Sequence, residues 1–357
     1  MAVGRFREEY YENPTPEEKQ VFKDFLSNQG LDYEENVDVS IKIIDEVTDE
    51  IVGTGSIQGK VLKCIAVDQN RRGEGLSALI LSVLIKEQFN RGRSHLFVFT
   101  SPKNIEESMG NAFPGFKVVA KTSDIVLLEM GSSSIEKYLN ELKFATRGIK
   151  EKTTKPIGAI VVNCNPFTLG HQFLIEKAAS ECGFLYVFVV AEDRSIFPTG
   201  VRFNLVKEGT KHLENVLILN GGDYIISSAT FPNYFMKEYK NISLSQARLD
   251  VTIFGEQIAP ALGITRRYVG EEPYDLVTHS YNQAMKEILI PKGIELSVIP
   301  RKEQNGKPIS ASIVRQFLRE DEFKELIDLV PPSTYNFLIS KEAKKIIERI
   351  KESETRH

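Results

Sequence analysis

Thr168, Gly170 and His171 close a polar turn, and the hydroxyl and the imidazole can each donate a hydrogen bond to a phosphate oxygen. They lie in residues 156–182, PIGAIVVNCNPFTLGHQFLIEKAASEC. The apolar, β-branched run 157–162 predicts a buried parallel strand. Asn163-Cys164-Asn165-Pro166 predicts a turn, and Phe173, Leu174, Lys177 and Ala178 recur at helical spacing after Gly170. A strand, a polar turn and a helix N-terminus form an anion site, because unpaired amides and the helix dipole point at one place. Gly170 is expected to let a phosphate approach the backbone closely. Four residues with two fixed types also suit an ordinary capped turn, so this stretch does not decide the matter alone.

The second chemical stretch is Ile309-Ser310-Ala311-Ser312-Ile313-Val314-Arg315, which follows a predicted strand at 295–299 and opens another helix. Ser310 and Ser312 suit caps. Arg315, three residues beyond Ser312, faces the same side of the first turn. Two hydroxyls, helix amides and a guanidinium together suit a polyphosphate.

The pair T-x-G-H early and I-S-x-S-x-x-R late resembles the nucleotidyltransferase superfamily of pantetheine-phosphate and nicotinamide-nucleotide adenylyltransferases. That resemblance implies that the two motifs grip ATP from opposite sides and stabilise attack on its α-phosphate. The longer run Asn165-Pro166-Phe167-Thr168-Leu169-Gly170-His171 is similar to superfamily ligases that adenylate acetate. It implies ATP contacts at Asn165, Phe167, Thr168, Gly170, His171, Ser310, Ser312 and Arg315, with catalytic roles for Thr168, His171 and Arg315. A Gly-rich turn in these enzymes meets adenine and ribose, which implies a contact at Gly270. Arg194, at the carboxyl edge of a strand at 184–191, and Arg202, which is expected to open the next helix (203–212), are candidates for a phosphate or acetate contact.

Earlier in the chain a strand at 61–67 runs into Arg72-Gly73-Glu74-Gly75-Leu76-Ser77 and then an amphipathic helix carrying Leu79, Ile80, Val83, Leu84 and Ile85. This predicts another pyrophosphate nest. It is not the dinucleotide fingerprint, which needs a third glycine and an acidic residue about twenty positions on. The loop resembles R-x-x-G-x-G/A of the GNAT acetyltransferases, which implies coenzyme-A-like arm binding at Arg72, Gly73, Gly75 and Ser77. The order of predicted elements over residues 1–131 fits as well. One departure stands out: no Tyr occurs between Ser108 and Pro114, where many GNAT enzymes carry the acid for the leaving thiol. Binding the arm is therefore expected in preference to acetyl transfer.

These readings predict a two-domain α/β chain. Residues 1–131 form a GNAT-like α+β domain, 132–150 a linker with a Gly/Ser hinge and a helix, and 151–357 a Rossmann-like, doubly wound nucleotidyltransferase domain with a helical tail. Within the last, 216–219, 249–254, 266–269 and 295–299 are expected strands. The aromatics Phe231, Tyr234, Phe235 and Tyr239 are expected core or pocket wall.

A T-x-G-H core joined to a GNAT-like loop resembles the citrate lyase ligase family nearly end to end. Its implied reaction is ATP-dependent acetylation, through acetyl-adenylate, of the phosphoribosyl-dephospho-coenzyme-A thiol on the acyl-carrier subunit of citrate lyase. The implied cofactors are ATP and Mg²⁺ carried mainly by ATP, with no protein metal site. The runner-up is tRNA-cytidine acetate ligase, which shares an N-P-F-x-x-G-H turn. Composition opposes it, since 45 Lys and Arg against 49 Asp and Glu leave a net charge of −4 and no basic stripe for nucleic acid. No apolar run reaches membrane-spanning length and no signal-peptide core is seen, so a cytoplasmic protein is expected. Cys64, Cys164 and Cys182 are an odd number without metal spacing and read as reduced thiols; Cys164 is expected as a small apolar filler, with sensitivity to alkylation the alternative its place in the active loop suggests.

Overall fold

The computed structural model describes residues 6–107, 113–149, 153–191, 195–227, 244–271, 276–304 and 306–352. The chain divides into two compact units, 1–135 and 136–357. No helix among the described residues is long and apolar enough to cross a membrane.

The first unit contains β1 (Phe6–Glu12), α1 (Pro16–Asn28), β2 (Val39–Asp45), β3 (Ile51–Gln58), β4 (Val61–Val67), α2 (Leu76–Asn90), β5 (Leu96–Thr100), α3 (Pro102–Glu107), β6 (Lys117–Lys121) and β7 (Val126–Met130). Its seven strands form one sheet, ordered β1-β2-β3-β4-β5-β7-β6. Neighbours are antiparallel except β4 and β5, which run parallel and pair only through Val61 with Phe97 and Leu62 with Val98. Beyond Leu62 the two strands are no longer paired. This is the α+β arrangement expected of a GNAT-like domain.

Small residues set the height of α2 over the sheet. A Cβ at Gly53 or Gly55 would come within 2.7–2.8 Å of Ile80 or Leu84, so only glycine lets the helix bury that face. The helix starts at Gly75 (φ +80) without a side-chain cap, and the loop before it is exposed.

The second unit begins with α4 (Ile135–Ala145) and continues through β8 (Ile157–Val162), α5 (Leu169–Glu181), β9 (Phe184–Val189), α6 (Thr199–Gly209), β10 (Val216–Asn220), α7 (Leu244–Ile253), α8 (Ala259–Leu262), β11 (Arg266–Gly270), α9 (Leu276–Leu289), β12 (Glu295–Ile299), the short pair β13 (Glu303–Gln304) and β14 (Lys307–Pro308), α10 (Ala311–Arg319), α11 (Pro332–Leu338) and α12 (Lys344–Glu352). Five parallel strands lie in the order β10-β9-β8-β11-β12. The chain winds one way from β8 to β10, then crosses to β11 and winds the other way. The topological switch therefore falls between β8 and β11, and ligands of such sheets bind at the carboxyl ends there. The turn holding Thr168 and His171 follows β8, and Gly270 ends β11.

Two expectations are corrected. Residues 249–254 were expected as a strand, but they are helical, the end of α7 and the start of a π-helical turn at Phe254–Ile258 that runs into α8. Leu249, Asp250, Val251, Thr252, Ile253 and Phe254 are all buried, the polar Asp250 and Thr252 included, so this stretch is a helix enclosed on every side. Tertiary burial overrides its β-branched preference. The second correction is that α6 opens at Thr199, so Arg202 lies inside its first turn instead of at its start. Phe231, Tyr234, Phe235 and Tyr239 lie outside the described residues.

At the end of the first unit, Gly131 (φ +127) packs against β5. A Cβ there would stand 2.1 Å from the Ser94 carbonyl oxygen and 2.9 Å from the His95 Cα. Backbone cannot yield as a side chain tip can. Gly131→Ala is expected to destabilise this unit by roughly 3 kcal/mol or more, since overpacking and a positive φ each cost about 1–3 kcal/mol. Denaturant melting checks this, and a change below about 1 kcal/mol would contradict the packing argument.

Candidate active site

The site is built from two loops that meet over the carboxyl ends of β8 and β12. The first leaves β8, turns through Cys164 (φ +53) and a cis Asn165–Pro166 peptide, and enters α5 at Thr168. The second passes from β12 through β13 and β14 to the cap of α10, Ser310. Arg315, on α10 and 4% exposed, donates from Nη1 to the Asn165 carbonyl oxygen of the first loop. A Cβ on Gly170 would lie 3.1 Å from the Ile309 carbonyl oxygen. Gly170 is thus small because the second loop lies against it, which corrects the expectation that the room was for a phosphate. The two motifs, 139 residues apart between Gly170 and Ile309 (309 − 170), are in backbone proximity.

Thr168 and His171 form a reciprocal cap. The His171 amide donates to Thr168 Oγ1 (3.4 Å), and the Thr168 amide donates to His171 Nδ1 (3.1 Å), with Thr168 Oγ1 also 2.9 Å from Nδ1. An amide N–H can only donate, so Nδ1 accepts and the neutral ring carries its proton on Nε2. Thr168 is buried and its hydroxyl is spent on this cap, which makes it the residue that orients His171. The Leu169 amide donates to the Leu329 carbonyl oxygen at 2.9 Å. With the amides of Thr168, Leu169 and His171 already bonded, the start of α5 presents fewer open donors than a bare helix end would.

Burial, reinforced by the charge of nearby Arg301, pushes His171 down to about 4. Arg301 follows β12, and its Nε donates to the Glu271 carbonyl oxygen at 2.7 Å. Sequence reasoning missed this cation. The available signal was the basic pair Arg301-Lys302 directly after a predicted strand at the ligand-binding edge. Arg315 is pushed down to about 10 by its burial and by Arg319. Ser310 Oγ accepts from the Ile313 amide (3.3 Å) and lies 3.0 Å from Ser312 Oγ, which is exposed.

Arg202 is corrected from a ligand contact to a brace. It is fully buried, with Nε donating to Phe197 O (2.9 Å), Nη1 to Asn163 O, Asn163 Oδ1 and Val190 O (2.7–3.0 Å), and Nη2 to Thr199 Oγ1 (2.9 Å). It ties the loop after β8 to the end of β9 and the start of α6. Asn165 adds to the same brace, its Oδ1 accepting from the Phe197 amide at 3.0 Å. Phe167 is also displaced from its expected role, because its side chain is fully buried. Its ring stacks against His171 (centroids 6.1 Å apart, planes at 21°) and packs so closely on α6 that a Cβ at Gly209 would be 2.4 Å away. Cys164 is buried in the core, as expected of a small apolar filler, and burial pushes its thiol up, which opposes the alternative of alkylation.

Gly270 stands at the end of β11 with room beside it, since an added Cβ would meet only Leu174 of α5, at 3.9 Å. Arg194 lies outside the described residues. Arg72, Gly73, Gly75 and Ser77 belong to the first unit, where all four are exposed and both glycines have positive φ (+89 and +80).

Comparison with known proteins decides the family. Residues 157–338 match the citrate lyase ligase C-terminal domain. The chain is 41% identical over 320 residues to the citrate (pro-3S)-lyase ligase of Klebsiella pneumoniae, covering 88% of this chain and 91% of that one. The chain belongs to the citrate lyase ligase family. The corresponding ligase of Escherichia coli (strain K12) is 37% identical, with 88% of each chain covered, and that of Haemophilus influenzae is 35% identical over 92% of this chain and 98% of its own. The shared span takes in both loops of the site, and the expected family resemblance holds over nearly the full length. As a member of this family the protein is a ligase.

One titration tests the cap. His171 is one of five histidines, so its ring signals can be followed by nitrogen NMR. The free protein is expected to hold the Nε2–H tautomer at pH 7 and to titrate His171 at about 4. This value lies below the roughly 6.5 of an unfolded histidine, so the unfolded chain takes up its proton first as pH falls. His171 therefore lowers stability progressively from about pH 6.5 to about 4 and has no effect above that window. A midpoint near 6.5 or an Nδ1–H ring would contradict the geometry.

Proposed function

We propose that this ligase uses ATP and acetate to acetylate the thiol of a phosphoribosyl-dephospho-coenzyme-A group on the acyl-carrier subunit of citrate lyase, and so activates that enzyme. The observation that carries the proposal is the junction of the two loops, Arg315 on the Asn165 carbonyl and Ile309 against Gly170, within a chain of this family.

Acetate is ionised at pH 7, so its attack needs no general base. One carboxylate oxygen bonds to the α-phosphorus of ATP, the bond from that phosphorus to the bridging oxygen breaks, and diphosphate leaves with acetyl-adenylate remaining. The carrier's sulfur then bonds to the acetyl carbon, AMP leaves with the carbon–oxygen bond electrons, and the thiol proton passes to solvent. The first step requires positioning and neutralisation of phosphate charge. His171 supplies Nε2–H as a fixed neutral donor, because a ring held near pKa 4 does not shuttle protons at neutral pH. Arg315 and Arg301 supply positive charge, Ser310 and Ser312 supply hydroxyls, and Thr168 holds His171 in place. Gly270 leaves space for the nucleoside. Mg²⁺ enters on the ATP oxygens and adds charge neutralisation there. Arg194 remains a candidate for acetate or phosphate.

In the first unit, the exposed loop Arg72–Gly73–Gly75–Ser77 and the uncapped start of α2 suit the pyrophosphate within the carrier's arm. This gives the GNAT-like domain a binding role that does not require acetyl transfer. Gly75→Asp places a carboxylate at that helix start and is expected to raise the apparent KM for the carrier by about tenfold or more, the effect of losing one charge-assisted contact. An unchanged KM would remove the arm from this loop.

Labelled diphosphate should exchange into ATP only when acetate and Mg²⁺ are present, without any carrier. His171→Ala should slow that exchange by about a hundredfold or more, the usual effect of losing one charge-stabilising donor. Exchange independent of acetate, or a variant within a fewfold of the parent, would contradict this reading.

A further inference from the structure

Two consecutive arginines precede the glycines of the exposed loop before α2, and they are used differently. Arg71 is engaged on two sides. Its Nη2 donates to Asp45 Oδ2 at the end of β2 (2.6 Å), and its Nε donates to both carboxylate oxygens of Glu74 (2.9 and 3.0 Å). Its guanidinium carbon also lies 6.0 Å from the centroid of the Phe6 ring of β1. Arg72, the next residue, is exposed and makes no hydrogen bond or ion pair among the described residues.

The two acids held by Arg71 are not alike. Asp45 is 5% exposed and fixed by its own turn, with Oδ1 accepting from the Val47 and Thr48 amides (2.8 and 3.4 Å). It anchors the Arg71 side chain to the sheet. Glu74 is exposed and has Arg71 as its ion-pair partner. It lies two residues after Arg72 and directly before Gly75, where α2 starts without a side-chain cap. A carboxylate at that place is an anion already inside an anion-binding loop. Released, it would compete for Arg72 and for the open helix start, and its charge would repel an incoming phosphate. Arg71, three residues before Glu74, turns the carboxylate toward Asp45 and β2. One guanidinium thus takes both acids, and the second is left open.

We propose that Arg71 is a positioning residue that keeps the loop open to the pyrophosphate of the carrier's arm, by holding Glu74 away from Arg72 and from the start of α2. This rests on the arm binding proposed above for Arg72, Gly73, Gly75 and Ser77. Arg71 does not contact the arm; it removes a competing anion.

The test uses the full-length chain with ATP, acetate and the thiol form of the carrier. Arg71→Gln should raise the KM for the carrier about fivefold or more, the effect of one unbalanced charge at a helix start, with kcat within about twofold. Glu74→Gln alone should leave that KM at or below the parent's, and a raised KM would place Glu74 on the arm and overturn the proposal. The double variant decides the role. Arg71→Gln with Glu74→Gln should return the KM to within about twofold of the parent, because the competing anion has gone as well. Both Arg71 variants lose the Asp45 contact, so a merely structural arginine gives no such rescue. A double variant as impaired as Arg71→Gln overturns the proposal. Calorimetric titration with dephospho-coenzyme A, which carries the same pyrophosphate, reads binding without turnover. Weaker binding by Arg71→Gln that the double variant restores is expected, and equal binding by all three chains overturns the proposal. Gly75→Asp, measured alongside, separates the two readings. A KM raised by Gly75→Asp but not by Arg71→Gln overturns the role of Arg71 alone, whereas a KM unchanged in both removes the arm from this loop.

Discussion

The close approach of two loops from distant parts of the chain is the constraint on which the rest of the second unit depends. Arg315 reaches across to the Asn165 carbonyl, and Ile309 lies against Gly170 where a methyl group would be crowded. A five-stranded parallel sheet with its switch between β8 and β11 delivers the first loop to this point and delivers the second along β12. Each loop alone is a capped helix start of an ordinary kind. Together they bring the first turn of α5, which carries His171, against the cap of α10, which carries Ser310 and Ser312, and the proposed reaction without a general base calls for donors and positive charge of this kind.

Rigidity around that junction comes from buried groups. Arg202 spends five hydrogen bonds on the loop after β8, the end of β9 and the start of α6. Phe167 backs the His171 ring, and Thr168 fixes its tautomer. His171 is thus held on both sides by buried neighbours. A misplacement of about 1 Å in a catalytic site can cost a hundredfold in rate, and so much interior packing in this loop suits the function proposed for it.

Much of this arrangement was legible in the residues. The runs at 157–162 and 184–189 are apolar throughout, as strands covered on both faces must be, and the T-x-G-H and I-S-x-S-x-x-R spacings place donors in the first turn of a helix. What misled was burial. Residues 249–254 alternate Leu249, Val251 and Ile253 with Asp250 and Thr252, which reads as a strand, yet all of them are buried in a helix packed against α9. Arg202 and Phe167 have the right types in the right places for ligand contacts, yet both point inward. Periodicity gives a side chain's face but not which polar groups have already claimed it.

Acetate labelled with oxygen-18 in its carboxylate offers the most direct test of the central claim, that the acyl carboxylate attacks the α-phosphorus at the junction of the two loops. After turnover with ATP and the thiol carrier, one labelled oxygen should be found in the phosphate of AMP, since the bond formed in the first step is not the one broken in the second. Label confined to the acetyl thioester, or found in inorganic phosphate, would mean that acetate is activated by a different route and would contradict the account.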